Sequence, residues 1–245
     1  KDGLTKVFKM FLGDVVHKEK SNTSEHKVIV KAINYSVEDD EFNEMKYDYR
    51  GNPLYSTMIS KLCNYNHRSE FIIKVLQTEL SKNNEQQIMI LAHNETLITY
   101  LFKAIEHRNI ATVGYYIGGM KEEELKKSES KKVIIATYAM ASEGLDIKTL
   151  TSLIMASPKT DVCQSVGRIL RTKHTSPLVV DIIDSHDIFE KQWKKRKQYY
   201  INSSNRDDYF KDKWETLYDP LKNDECIKKI KKKEQPLKGV CLIKI

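Results

Sequence analysis

The stretch "QQIMILAHNETLITYLFKAIEHRNIATVGYY", residues 86–116, decides the fold class of this chain. Its apolar run at 88–92 is short and predicts a buried strand. The next residues have apolar side chains at helical spacing, which predicts an amphipathic helix with Asn94 as its N-cap. A second β-branched and aromatic run at 111–116 predicts another strand. Short buried strands that alternate with helices are typical of an α/β fold, a parallel sheet with helices on both faces.

The same alternation continues on both sides of this stretch. Further strands are predicted at 27–36, 131–138, 151–157 and 177–184, and further helices at 54–63, 68–82, 121–129 and 161–172. Because α/β proteins bind ligands at the carboxyl ends of their strands, we expect functional loops after positions 93, 116, 137, 156 and 183. The segments 14–27 and 37–53 lack an apolar period and are predicted to be exposed connections, including the acidic "VEDDEF" at 37–42.

Composition narrows the class of protein. Of 245 residues, 40% are hydrophobic and 31% are charged, and no apolar run approaches the length of a membrane span. The net charge of +7 favours a polyanionic partner, although it also serves solubility. The four cysteines show no CxxC pair and no zinc-ligand spacing, so we expect no metal site and reduced thiols in a cytosol-like compartment. The chain opens with "KDGLTK" and has no secretory signal, which predicts a piece of a longer protein.

The segment "QSVGRILR", residues 164–171, carries an unusual charge pattern. In a helix, Gln164, Arg168 and Arg171 fall at i, i+4 and i+7 and share one face. Two adjacent guanidinium groups repel each other, and a phosphate between them would compensate that repulsion. Gly167 would allow a ligand to approach the backbone. A pair of solvated surface arginines fits the spacing equally well.

The segment "ATYAMASEGLDI", residues 136–147, follows a predicted strand. Thr137 and a loop of small residues offer a hydroxyl and backbone N–H groups to phosphate oxygens. Gly144 permits close contact, and the carboxylate of Asp146 suits a sugar hydroxyl. An ordinary turn with Asp146 as a cap is the alternative.

Together the two segments resemble motifs V and VI of superfamily 2 helicases. The sequence matches the motif QxxGRxxR at Gln164, Gly167, Arg168 and Arg171. The strand and helix at 87–105 are similar to motif IV, and "KDGLTKVFKMFLGD" at 1–14 is similar to the segment after motif III. Within the superfamily, "RGNPLYSTMIS" and "PLVVDIIDSHDIF" resemble the helicases of poxviruses and other large cytoplasmic DNA viruses, including those that release transcripts.

The resemblance implies a domain organisation and a nucleotide site. Residues 28–190 would form the second RecA-like domain, 1–27 the connection from the first, and 191–245 a basic, aromatic extension. Arg168 and Arg171 would be arginine fingers that reach the γ-phosphate of ATP, and Gln164 would position the phosphates or the attacking water. Gly144, Asp146 and Gly167 would line the nucleotide cleft.

The resemblance also implies partners. Thr137, Gly118, Gly119 and the helix start at Asn94 would contact a nucleic-acid backbone, and His93 is either a further polar contact or a plain loop histidine. We expect nucleic acid and the N-terminal RecA-like domain of the same protein as partners, no membrane, and a cytoplasmic location that includes a viral factory or the virion.

The sequence departs from a complete helicase in one respect. It contains no GxxxxGK[ST] loop and no DExx-type metal-binding box in the right context, so ATP with Mg²⁺ would be held mainly by the first domain, and this chain would supply half of a catalytic site. A helicase-like adaptor without catalysis and an unrelated α/β enzyme such as a nucleotide transferase remain alternatives.

Two other groups are ambiguous. Asp181 and Asp184 could hold a metal, but strand alternation places them on opposite faces and favours a structural role. The run from Lys194 to Lys197, beside Trp193, Tyr199 and Tyr200, is either a stacking surface for a single strand or a solvated helix face.

Overall fold

A computed structural model describes residues 10–11, 29–142, 147–162 and 177–203. Its elements follow one another along the chain as β1 (Ile29–Tyr35), α1 (Asp40–Asn43), α2 (Tyr55–Asn64), α3 (Asn66–Lys82), β2 (Gln87–Ala92), α4 (Glu95–His107), β3 (Val113–Tyr116), α5 (Glu122–Glu129), β4 (Val133–Thr137), α6 (Tyr138–Ser142), β5 (Leu150–Met155), β6 (Leu178–Asp184) and α7 (Asp187–Ser203).

The strands form one parallel sheet in the order β1-β6-β5-β2-β4-β3. All six strands predicted from the sequence are present, and the predicted α/β class is confirmed. Because every strand is parallel to its neighbours, all carboxyl ends lie at one edge of the sheet and all amino ends at the other. The loops that follow the strands therefore share one edge.

Alternate side chains of the strands pack into two apolar layers. Ile88 and Ile90 of β2 lie in the layer covered by α2, α3 and α4. Met89 and Leu91 lie in the opposite layer, against residues of α6 and α7. Strands that are buried on both faces explain the continuous apolar runs in the sequence.

The helices agree with the sequence in most of their bounds, and two differences have clear causes. The acidic segment at 37–42 was predicted to be a solvated loop; Glu38, Asp40 and Glu41 are exposed, but the loop assignment is wrong, because Asp40–Asn43 form α1. Asp39 is buried and caps α1 by accepting a hydrogen bond from the Phe42 backbone N–H at 3.2 Å, and the Phe42 ring lies in the core. The start of the predicted loop at 136–147 is likewise helical, as α6.

Buried arginines account for the two aspartates of β6. Asp184 forms an ion pair with Arg68 on one face of the sheet, and Asp181 forms one with Arg196 on the other. The structural role favoured for both carboxylates is confirmed. The same pairing corrects the prediction for α7, since Arg196 and Tyr200 are buried and cannot belong to an exposed stacking surface. Lys194 and Lys195 remain exposed.

Two smaller observations bear on the class of protein. Cys63 is a buried free thiol, and burial raises its pKa to about 11, so it stays protonated near neutral pH. In the part of the chain that the structure describes, no helix combines the length and apolarity needed to cross a bilayer.

Candidate functional site

The carboxyl edge of the sheet gathers the predicted nucleic-acid residues into a row. His93 and Asn94 follow β2, Thr137 ends β4, and Gly118 and Gly119 follow β3. These three strands are neighbours in the sheet, and β5 lies on the other side of β2. With strands about 4.8 Å apart, the ends of β5, β2, β4 and β3 span about 14 Å.

A crevice is expected at the end of β2. The chain continues from β2 to one face of the sheet, and from the neighbouring strands β4 and β5 to the opposite face. The connection after β2 leads to α4 in one apolar layer. The connections after β4 and β5 lead to Tyr138 and Val162 in the other layer. In open α/β sheets, ligands bind where adjacent connections diverge in this way. Thus the ends of β2, β4 and β5 are the expected ligand position.

His93 is held at this position by Ser157, which follows β5. The Ser157 hydroxyl oxygen accepts a hydrogen bond from the His93 backbone N–H at 3.0 Å and lies 2.9 Å from His93 Nδ1. Since the backbone N–H can only donate, the hydroxyl proton is available for Nδ1. A neutral imidazole that accepts at Nδ1 carries its proton on Nε2. In that tautomer, His93 offers its Nε2–H group as a donor to a ligand.

Tyr138 and Lys159 surround the imidazole. The rings of His93 and Tyr138 have centroids 4.7 Å apart, and Lys159 Nζ lies 5.6 Å from the Tyr138 ring centroid. Burial lowers the pKa of His93, the Lys159 charge lowers it further, and together they bring it to about 4. His93 is consequently neutral near pH 7, and the positive charge belongs to Lys159.

Asn94 combines a structural role with a free donor. Its side-chain oxygen accepts from the Thr96 backbone N–H at 2.7 Å and caps α4, as predicted. The cap uses the oxygen and leaves the amide NH₂ group available. The first turn of α4 also presents unpaired backbone N–H groups, which favour an anion, although it carries the exposed carboxylate of Glu95.

Thr137 and the two glycines complete the row. The Thr137 hydroxyl accepts a long hydrogen bond of 3.4 Å from the Met140 backbone N–H, and its own proton remains a donor. Gly118 and Gly119 are exposed, and a Cβ added to either would meet no atom within 4 Å. Gly119 has a φ of 82°, in the left-handed region that favours glycine. The open backbone there is accessible to a ligand.

The amino edge of the sheet is different, because its polar side chains bond to one another. The Gln87 amide donates to the carbonyls of Glu129 and Lys131 and accepts from the Thr149 hydroxyl. Ser152 donates to the Gln86 side chain. The side chains of Gln86, Gln87, Thr149 and Ser152 are thus paired at the amino edge, whereas the carboxyl edge presents donors from His93, Asn94, Thr137 and Lys159.

The residues implied for nucleotide binding lie outside the described residues. These are Gln164, Arg168 and Arg171, assigned as catalytic, and Gly144, Asp146 and Gly167, assigned to the cleft. Within the described ranges, no group of three or more His, Cys, Asp or Glu side chains could hold a metal ion. We assign no magnesium ligand to this part of the chain.

Sequence reasoning missed Ser157, Tyr138 and Lys159. The sequence contained a signal, because "SPK" at 157–159 lies at the carboxyl end of the strand predicted at 151–157. Linking it to His93 required the strand order, which places β5 beside β2 although the two strands are separated by β3 and β4 in the chain.

The fold and the polar row define a RecA-like α/β domain. The crystal structure of T4 UvsW shares this fold, with a TM-score of 0.57 and 21% identity over 71% of this chain and 39% of that one. Residues 69–173 match the family described as the helicase conserved C-terminal domain. This part of the chain is therefore similar to the helicase C-terminal domain, in agreement with the resemblance of segments 136–147 and 164–171 to helicase motifs.

Similar curated proteins include viral helicases. A mimivirus protein named "Putative ATP-dependent RNA helicase L396" (Acanthamoeba polyphaga mimivirus) is 39% identical over 208 residues, covering 81% of this chain and 39% of the relative. The "ATP-dependent DNA helicase uvsW" of Enterobacteria phage T4 is 27% identical over 66% of this chain and 36% of the relative. The chain therefore spans less than half the length of these relatives.

Proposed function

We propose that this chain is the second motor domain of an ATP-dependent helicase or translocase and that the row at its carboxyl edge holds a nucleic-acid backbone. The observation that supports this best is the alignment of donors on four adjacent strands, from Lys159 and His93 to Thr137 and Gly118. Hydroxyl, amide, imidazole and ammonium donors suit phosphate oxygens. Backbone contacts of this kind carry no base-sequence information, as a motor that moves along any sequence requires.

The neutral state of His93 fits this role. A neutral Nε2–H donor beside the Lys159 ammonium gives one charged and one uncharged contact to a phosphate. When the Lys159 ammonium contacts a phosphate, it releases counterions from the nucleic acid. The affinity for nucleic acid should therefore fall as the salt concentration rises.

We propose that ATP with Mg²⁺ binds between this domain and the first RecA-like domain, which would hold most of the nucleotide. Magnesium ATP supplies the phosphoryl group whose transfer to water drives the motor. Arg168 and Arg171 would stabilise the charge that develops on the phosphoryl oxygens, and Gln164 would orient the attacking water. The support for these roles is the four-position match to QxxGRxxR.

Movement along the strand would follow from opening and closing of the cleft. Nucleotide binding brings the two arginines to the phosphates and closes the cleft, and hydrolysis removes that interaction and reopens it. If the row at Thr137 and His93 stays bound to the nucleic-acid backbone either while the cleft closes or while it reopens, the domain advances along one nucleic-acid strand. We further propose that the protein acts in the cytoplasm on DNA or RNA, since the similar viral proteins include one named as an RNA helicase and one named as a DNA helicase.

The experiment uses the longer protein that contains both RecA-like domains. ATP hydrolysis is measured with DNA and RNA oligonucleotides of the same sequence, for the wild type and for Arg168→Ala and Arg171→Ala. We expect strand-stimulated turnover that each substitution lowers by at least about 100-fold, with oligonucleotide affinity retained. Arg108→Ala is the matched control, because Arg108 is paired with Glu70 and lies at the end of α4.

Two outcomes would contradict the proposal. Unchanged turnover in both variants would refute the arginine-finger roles. Oligonucleotide binding by the wild type without any ATP hydrolysis would identify an adaptor instead of a motor.

A further inference from the structure

The four residues after β5 are held by an unusual set of hydrogen bonds. Each backbone carbonyl from 156 to 159 accepts one from a side chain: Ala156 from Arg68 Nη1 at 2.7 Å, Ser157 from the Tyr138 hydroxyl at 2.6 Å, Pro158 from the Tyr55 hydroxyl at 3.2 Å, and Lys159 from Arg196 Nη1 at 2.7 Å. The donors come from α2 and α3 in one layer and from α6 and α7 in the other.

Two of the donors are arginines with the same arrangement on opposite faces of the sheet. Arg68 Nε and Nη2 donate to Asp184 at 2.6 and 2.8 Å, and Arg196 Nε and Nη2 donate to Asp181 at 2.7 and 2.9 Å. In each case Nε and Nη2 of the guanidinium bind the aspartate, and Nη1 donates to a backbone carbonyl of segment 156–159. The planar arginine fork makes both contacts at once, which a lysine cannot do.

A contribution to stability does not by itself explain why these two ion pairs are buried. Arg68, Asp184, Arg196 and Asp181 are each at most 1% exposed, so all four charges are desolvated. Desolvation of a buried ion pair costs about as much as the attraction returns, and apolar side chains of similar volume often stabilise a core equally well. A feature that apolar residues cannot reproduce is the directed hydrogen bond to the segment after β5.

That segment carries two groups of the proposed binding row. Ser157 fixes the imidazole of His93, and Lys159 supplies the positive charge beside it. In the sequence, the QxxGRxxR motif begins five residues after Lys159. Any shift of segment 156–159 would therefore move Lys159 and the Ser157 hydroxyl that holds His93, together with the chain that continues toward the motif.

We propose that Arg68 and Arg196 are positioning residues that fix segment 156–159, and through it Ser157, Lys159 and His93, for binding of a phosphate backbone. The inference rests on the proposed function for its ligand. It also gives α7 a role in the motor, since Arg196 lies beyond residue 190, where the sequence predicted the C-terminal extension to begin.

The first test detects a displacement of segment 156–159 through the titration of His93 and does not depend on ATP hydrolysis or nucleic-acid binding. The imidazole of His93 is titrated by NMR in the 245-residue chain, with its signal assigned by its loss in His93→Gln. In the wild type we expect no titration above about pH 5, because the pKa of His93 is about 4. In Arg68→Lys and Arg196→Lys, a displaced segment admits water to the imidazole, and the titration should move toward the ordinary histidine value of about 6.5.

Two further variants keep this test decisive. Tyr200→Phe is the matched control, since it removes the hydrogen bonds of 3.0 Å to Asp181 and 3.2 Å to Met155 Sδ but none of the four hydrogen bonds to the carbonyls of segment 156–159. Its His93 titration should equal that of the wild type. If a lysine variant fails to fold, Tyr55→Phe removes one hydroxyl from the Pro158 carbonyl without a change of charge, and it should shift the titration in the same direction.

The second test measures affinity for a fluorescent DNA or RNA oligonucleotide in the same chain. Arg68→Lys and Arg196→Lys should lower affinity about tenfold, as expected for the loss of one charge-assisted hydrogen bond, and Tyr200→Phe should not. Folded variants with wild-type His93 titration and affinity would overturn the positioning role. If the wild-type chain does not bind oligonucleotides, the proposed function fails, while the NMR titration still decides whether the arginines fix the segment.

Discussion

Arg68 and Asp184 lie 116 residues apart in the chain and form a bidentate ion pair that is fully buried, with Nε–Oδ1 at 2.6 Å and Nη2–Oδ2 at 2.8 Å. The pair joins α3 to Asp184, the last residue of β6. We expect Arg68→Ala to lower the free energy of unfolding by about 3–5 kcal/mol, because it leaves an uncompensated carboxylate in the core. Urea unfolding of the 245-residue chain measures this change.

The double variant Arg68→Met with Asp184→Leu separates charge from volume. It removes both charges and should recover most of the stability that Arg68→Ala loses. A double variant as unstable as Arg68→Ala would show that the hydrogen bonds of the pair, rather than its desolvated charge, determine the loss.

Asn94 allows capping to be separated from strand binding. Asn94→Ala removes the acceptor for the Thr96 N–H and should lower the free energy of unfolding by about 1 kcal/mol. Asn94→Asp keeps the acceptor, so stability should be retained, but it adds a negative charge to the row and should weaken oligonucleotide binding. Thermal unfolding and fluorescence anisotropy report the two effects, and an Asn94→Asp chain with wild-type affinity would exclude Asn94 from the interface.

Lys159 should account for one phosphate contact. Its replacement by alanine should weaken oligonucleotide binding and reduce the slope of log affinity against log salt concentration by about one. Lys132→Ala is the control, because Lys132 lies at the amino end of β4, at the opposite edge of the sheet. Equal salt slopes for both variants would remove Lys159 from the proposed row.

His93 should make stability depend on pH in a predictable direction. Its pKa is about 4 in the folded chain, below the ordinary value of 6.5. Between these two values the unfolded chain binds a proton that the folded chain excludes, so the stability present near pH 7 declines as the pH falls. Unfolding free energies at about pH 7 and about pH 5 should differ more for the wild type than for His93→Gln. The same loss in both chains would show that His93 titrates normally.

Sequence reasoning predicted the parts of the molecule that depend on local pattern. The six strands, the larger helices and the Asn94 cap follow from apolar period and residue type, and the strand ends that carry His93, Thr137 and Gly118 followed from the parallel arrangement. What it missed depends on the order of the strands and on side chains that meet across the sheet. Neither the pairing of β5 with β2 nor that of Arg196 with Asp181 is visible in local sequence.

The error at 37–42 has a related cause. Four consecutive acidic residues predict solvent exposure, but Asp39 is used as a helix cap and Phe42 fills the core beside Tyr35, at a ring separation of 5.6 Å. A single aromatic residue in an acidic segment was the signal that the segment returns to the core.

Helix α7 also determines where the chain can be shortened. The Asp181 carboxylate accepts hydrogen bonds from Arg196 Nε and Nη2 and from the Tyr200 hydroxyl, so a polypeptide that stops at residue 190 would leave a buried carboxyl group without these partners. Recombinant fragments of this domain should therefore extend past Tyr200, and a protease that cuts within α7 should convert a folded domain into an aggregating one.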